Sequence, residues 1–228
     1  MNSKNLSKEF IYQGLALLLS IILVHAFFVS VVRPEAQAVI QEQQAMIAED
    51  INYVPERSLY VIIKDFEQEA CFILMLWAFA IMTLKARVAV NERKLLQEDL
   101  IPLQQGMRIT PEDTSGYLRQ LDNLAESKQS LLLPRILINA LNRFATTGNV
   151  QDVATSAHTM VESEADRLES ELSMIRYIAW AIPSIGFIGT VRGIGAALSL
   201  AHRAADGDIS GVTQNLGIAF NSTFIALL

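Results

Sequence analysis

The chain has 228 residues, a net charge of -6 and a charged fraction of 18%, well under the roughly 25% usual in soluble proteins. The acidic balance argues against a nucleic-acid binder, which needs a basic surface for phosphates. The single cysteine, Cys71, rules out an intrachain disulfide framework. Neither it nor the scattered His25, His158 and His202 has metal-ligand spacing. With no nucleophile and base pair, phosphate loop or metal set in view, no catalytic residue, metal or cofactor is expected, and the chain does not read as an enzyme.

The apolar content of 51% is ordinary, so the placement of apolar residues decides the class. Ile11 to Val32 is free of formal charge, and a helix of that length rises about 33 Å, enough for a hydrocarbon core of about 30 Å. It is too long for the apolar core of a secretory signal peptide. A second run, Ala70 to Leu84, is short, and snorkelling by Lys85 and Arg87 would extend it. Tyr177 to about Ala201 forms a third, interrupted by Arg192. The fourth starts near Leu216 and is still apolar at Leu228. It is too short to cross a bilayer, so this span is expected to be incomplete in the sequence.

Charge orients these spans, because short cytoplasmic loops collect lysine and arginine. Lys85, Arg87, Arg93 and Lys94 follow the second span, which puts that side in the cytoplasm. Between the first two spans, Glu35, Glu42, Glu49, Asp50, Glu56, Asp65, Glu67 and Glu69 outnumber Arg33, Arg57 and Lys64, as suits an outer segment. Lys4 and Lys8 then place the N-terminus inside.

About 90 residues after Arg87 carry helical periodicity with clear punctuation. Thr110-Pro-Glu-Asp reads as a helix start, Pro134 as part of a first turn, and Thr147-Gly-Asn149 as a turn before a helix that runs into span three, with a kink at Pro183. The acids from Glu162 to Glu171 read as a solvated face.

The expected fold is therefore an all-α integral membrane protein with four transmembrane helices and a long cytoplasmic helical extension of the third. An N-terminal segment and span one occupy 1–32, an outer segment 33–69, and span two 70–86. A cytoplasmic helical domain takes 87–175, span three 176–201, an outer turn 202–214, and span four 215–228.

Span three is the most informative stretch. Gly186, Thr190, Gly193 and Ala197 recur at three- and four-residue spacing and so share a helical stripe, with Gly189 at its edge. Small side chains there allow close approach of another helix. Span four contributes Asn221-Ser-Thr223. Counting rise per residue puts Thr190 about 18 Å and Thr223 about 20 Å above the cytoplasmic face. Threonine in a membrane helix usually bonds its own i-4 carbonyl, but two hydroxyls at matching depth beside a glycine stripe point to a polar ring or ion path. Hydroxyls do not titrate at physiological pH, and no aspartate or glutamate lies within the four apolar runs, so a proton path here needs a carboxylate from a second polypeptide. Arg192 lies in the outer half of span three, and a charge at the bilayer centre costs at least about 2.5 to 3.5 kcal/mol. It is a candidate for the outer pore mouth or for contact with a partner carboxylate, with snorkelling to the interface as the alternative.

These residues resemble the MotA/TolQ/ExbB proton-channel family. The resemblance rests on Pro183-x-Ile-Gly-x-Ile-Gly-Thr-Val-x-Gly-Ile194 and, after the turn, Gly217-Ile-Ala-Phe-x-Ser-Thr-x-x-Ala-Leu227. It implies a multi-pass protein of the bacterial inner membrane with a cytoplasmic N-terminus and a periplasmic 33–69 segment. It further implies a homo-pentamer around a dimer of a single-span partner, whose aspartate is protonated and released facing the pore threonines, so that ion flow drives motion. By position, Thr190 and Thr223 would be the pore hydroxyls, with Ser222 beside them, and Gly186, Gly189 and Gly193 would serve packing. Two features depart from the pattern. Arg192 stands where transport members commonly carry an apolar or aromatic residue, and the four-span count with a substantial outer segment is closer to a MotA-like layout than to three spans.

A membrane-anchored sensor with a periplasmic input segment is the rival reading, since two spans, an acidic outer segment and a long cytoplasmic helix also describe one. A sensor, however, has no need for glycine- and threonine-rich helices after its signalling helix.

Overall fold

The computed structural model describes residues 3–49, 53, 56–102 and 108–228, with side chains from Ile11 onward. Asp50, counted above among the outer acids, lies outside the described residues, as do the side chains of Lys4 and Lys8. Among the described residues every regular element is helical, and three helical stretches are long and apolar enough to cross a membrane: Ile11–Glu49, Phe66–Leu95 and Val150–Ser199. The chain divides into two compact units, one of Met1–Met82 with Ile175–Leu228 and one of Thr83–Met174.

In the first unit, α1 (Ser3–Phe27) passes through a π-helical turn at Phe28–Val32 into α2 (Arg33–Glu49). The cause is local. Pro34 has no N–H to offer the Ser30 carbonyl, and its ring crowds that position; the wider turn relieves the crowding, with the Arg33 N–H bonded to the Phe28 carbonyl. The helix of the first apolar run therefore continues past Val32 to Glu49. The turn also faces Phe28 and Val32, with Ala36 beyond it, into the core.

A short α3 (Leu59–Ile63) packs against α2 and the last helix. Next comes α4 (Phe66–Leu95), which starts before the apolar run at Ala70, so that Glu67 and Glu69 occupy its first turn. Acids are favoured there because the unpaired N–H groups and the helix dipole present positive charge.

The second unit centres on Leu95, Leu100, Leu121 and Leu141, contributed by the end of α4, the following loop, α5 (Thr114–Asp122) and α7 (Leu132–Thr147), with α6 (Glu126–Gln129) between the last two. The Asp113 carboxylate accepts both the N–H and the hydroxyl of Thr110, at 3.0 and 2.7 Å. This closes a turn, so the helix begins at Thr114, not at Thr110 as the sequence suggested. Glu92 takes the Leu132 N–H on both oxygens, at 2.9 and 3.0 Å, anchoring the start of α7, which has Pro134 in its first turn.

Gly148, at φ 59°, ends α7 in the left-handed conformation that glycine tolerates. The Asn149 side chain accepts the Gln151 N–H at 2.9 Å, and α8 (Val150–Ser199) runs 50 residues with Pro183 inside it. Its acids are not uniformly solvated. Glu171 receives Lys85 at 2.5 Å and Arg167 at 2.6 Å, and Glu164 pairs with Arg167 and faces Arg135 at 3.8 Å. The helical wheel places Arg167 beside Glu164 and Glu171 but does not reveal the pairs to Lys85 and Arg135, which come from other helices.

After α9 (Ala201–Ala205) and Gly207 at φ 97°, α10 (Ser210–Leu227) closes the described chain. Its 18 residues rise about 27 Å. The helix starts at Ser210, inside the stretch assigned to the outer turn, because its polar residues are satisfied locally. Ser210 donates its N–H and hydroxyl to Asp208, Thr213 donates to Ile209 O, and Asn215 donates to Gly211 O. Those same polar residues leave α10 outside the set of three strongly apolar helices.

Candidate functional site

The glycine stripe of α8 is filled by α10 of the same chain. A methyl built on Gly186 would lie 2.3 Å from Ala226 Cβ. On Gly189 it would lie 2.5 Å from Ser222 Cβ, and on Gly193 2.8 Å from the Ala219 backbone nitrogen. Real Cβ atoms do not approach so closely, so only glycine fits at these positions. Ala219, Ser222 and Ala226 are the buried residues of α10, spaced three and four apart to form the complementary stripe. The spacing in the sequence announced a close helix contact, and the structure identifies the helix.

This approach brings the two threonines together. Their Oγ1 atoms are in direct hydrogen-bond contact, and Thr190 Oγ1 also lies 3.0 Å from Gly186 O and 3.2 Å from Ala219 O. The local i-4 bond to Gly186 is thus present, as is usual for threonine in a helix, but Ala219 O, the i-4 carbonyl of Thr223, also faces Thr190 across the helix pair. A threonine hydroxyl has one proton and two lone pairs. Thr190 reaches three acceptors with a single proton, so the pair has more acceptor capacity than protons. Its hydroxyls rotate to accept from an incoming donor while still giving to a carbonyl. Ser222, 1% exposed, donates to Ile218 O at 3.0 Å and receives Gln68 Nε2 at 3.5 Å.

A set of ion pairs begins at the first turn of α4, with the carboxylates more buried than their cationic partners. Arg192 holds Glu67 with two bonds, Nε to Oε1 and a terminal nitrogen to Oε2, each 2.8 Å. The Glu67 side chain also passes the α8 backbone at Gly189, where a methyl would sit 3.0 Å from its Cγ. Glu69, 5% exposed, is bonded by Arg33 and by His25 Nδ1 at 2.6 Å, and Arg33 stacks over the Phe66 ring at 4.4 Å. Gln68 is fully buried and donates to Ile62 O at 3.2 Å. Arg192 therefore meets a carboxylate of its own chain, a partner the sequence reading did not include beside the outer pore mouth, a second polypeptide's carboxylate and snorkelling to the interface.

Sequence reasoning assigned Glu67, Gln68 and Glu69 to the outer segment and missed their place beside the site. Two signals were available. Acids immediately before an apolar run suit a helix N-terminus, and three cationic or ionisable groups in or beside apolar runs, His25, Arg33 and Arg192, needed partners.

Residues 128–228 match the model of the MotA/TolQ/ExbB proton channel family. The match takes in α7 through α10, and with them both threonines, Ser222, Arg192 and the three packing glycines. No curated protein and no solved structure matches the chain.

Proposed function

Because residues 128–228 match the model of the MotA/TolQ/ExbB proton channel family, we propose that the chain belongs to that family and is the proton or sodium channel subunit of an ion-driven motor in the bacterial inner membrane. Five copies surround a dimer of a single-span partner and turn ion flow into motion of that dimer. All four spans cross the membrane, the N-terminus is cytoplasmic, and the second compact unit, with the lower part of α8, lies in the cytoplasm. The observation that carries this reading is the Thr190–Thr223 hydroxyl pair, set between two helices that small residues bring into close contact.

The division of labour follows from the chemistry. The hydroxyls do not titrate, so they hydrate the path and hydrogen-bond the group that does. The chain's own neighbouring carboxylates are committed, Glu67 to Arg192 and Glu69 to Arg33 and His25. This supports an aspartate of the partner as the proton carrier, with the membrane potential supplying about 2.3 kcal/mol per charge per 100 mV.

Native mass spectrometry of the complex purified from its source membranes tests the proposal. The expected result is five copies of this chain with two of a protein that has one apolar span and an aspartate near the start of that span. Release of this chain alone, with no single-span subunit, contradicts it.

A further inference from the structure

An arginine close to a cation path is an electrostatic barrier, since fixed positive charge in a pore excludes protons and metal cations. Arg192 follows Thr190 by two residues, about 3 Å along the axis and about 200° around the helix. Its charge therefore lies across one helix diameter from the hydroxyl pair, on the order of 10 Å. The side chain is 52% exposed, and a single-span partner or a neighbouring copy would not cancel its charge by bulk alone.

Glu67 does cancel it. The carboxylate makes the two-bond planar pairing that best neutralises a guanidinium, and at 12% exposure it is screened by water far less than a surface acid. Its side chain runs against the α8 backbone at Gly189, where an added methyl would sit 3.0 Å from its Cγ, and the same glycine admits Ser222 of α10, 2.5 Å from that methyl. The buried Gln68 on the next residue bonds Ser222 on α10, so the first turn of α4 is tied to both helices that carry the threonines.

We infer that Glu67 is a specificity-determining residue of the ion path: by neutralising Arg192 it keeps the region around Thr190 and Thr223 passable to cations. This rests on the channel reading above and adds to it a charge relation within the chain that sets ion sign. Removing the carboxylate leaves an uncompensated positive charge. At an effective dielectric of about 20 and a distance on the order of 10 Å, one unit charge changes local cation occupancy by roughly tenfold.

The test uses the complete complex purified from source membranes and reconstituted in liposomes, with proton influx read by entrapped pyranine and sodium influx by a sodium indicator. Glu67→Gln is expected to lower cation influx by roughly tenfold at equal amounts of assembled complex. Arg192→Gln, which leaves the carboxylate alone, is expected to raise influx above the wild-type level, and the double variant is expected to recover at least a third of wild-type flux. Opposite signs for the two single changes, with recovery in the double, are what charge compensation requires. If Glu67→Gln fails to assemble, the comparison of Arg192→Gln with wild type still decides. A fall in flux for Arg192→Gln, or for both single changes without recovery, means the pair only latches helices together and overturns the inference. Absence of influx through the wild-type complex instead overturns the channel reading itself.

Discussion

At Gly193 the backbones of α8 and α10 come so close that one methyl group decides their packing. An added Cβ would meet Ala219 N, Cα and Cβ at 2.7 to 2.9 Å, and backbone has no rotamer with which to move aside. Gly193→Ala should therefore push α10 outward, costing about 1 to 3 kcal/mol as overpacking does. Gly195, two residues on, has nothing within 4 Å of a built Cβ, and Gly195→Ala should gain roughly 0.5 to 1 kcal/mol from helix propensity. Thermal unfolding of the two variants in detergent checks the pair: a lower midpoint for the first and an equal or higher one for the second is expected. Equal effects would mean that the close approach is absent. The glycine spacing was legible in the sequence because a helical stripe is a local pattern. The Glu67–Arg192 pair was not, because it joins residues 125 positions apart and depends on where α4 begins.

At the scale of elements, helix type and approximate position followed from apolar periodicity, and the ends depended on single hydrogen bonds. Asn149 and Gly148 marked the start of α8 correctly because both act on adjacent backbone. Residues 202–214 read as a single outer turn, whereas α10 begins within them, at Ser210 beside Asp208. Asp208 is held below the usual carboxylate value of 3.8, mainly by the Ser210 hydroxyl, then by its N–H, with Arg203 adding attraction. Since its folded-state value is depressed, the stability it contributes is present above about 3.8 and is lost as pH falls through the lower folded value. The expected outcome is that wild type and Asp208→Ala differ in unfolding midpoint at pH 6 and converge toward pH 3. A difference that stays constant or widens on acidification would contradict the capping role.

At the scale of the whole molecule, the apolar runs in the sequence announced a membrane protein, and the motif of span three announced the family whose model residues 128–228 match. The ion pairs of the second unit were hidden, since Lys85, Arg135, Glu164 and Glu171 are each ordinary surface residues until α4, α7 and α8 converge. The π turn at Phe28–Val32 was likewise unannounced, although Pro34 was its cause. What the assembled chain adds is a polar site made by packing: small residues bring α8 and α10 together, and their contact leaves two hydroxyls with fewer protons than acceptors. Valine keeps the branched shape of threonine and removes the hydroxyl, while serine keeps the hydroxyl in a smaller side chain. Proton influx into liposomes, at equal amounts of assembled complex, should therefore be lost in Thr190→Val and Thr223→Val and partly retained in Thr190→Ser and Thr223→Ser. Wild-type influx through both valine variants would show that these hydroxyls only join helices and do not line the ion path.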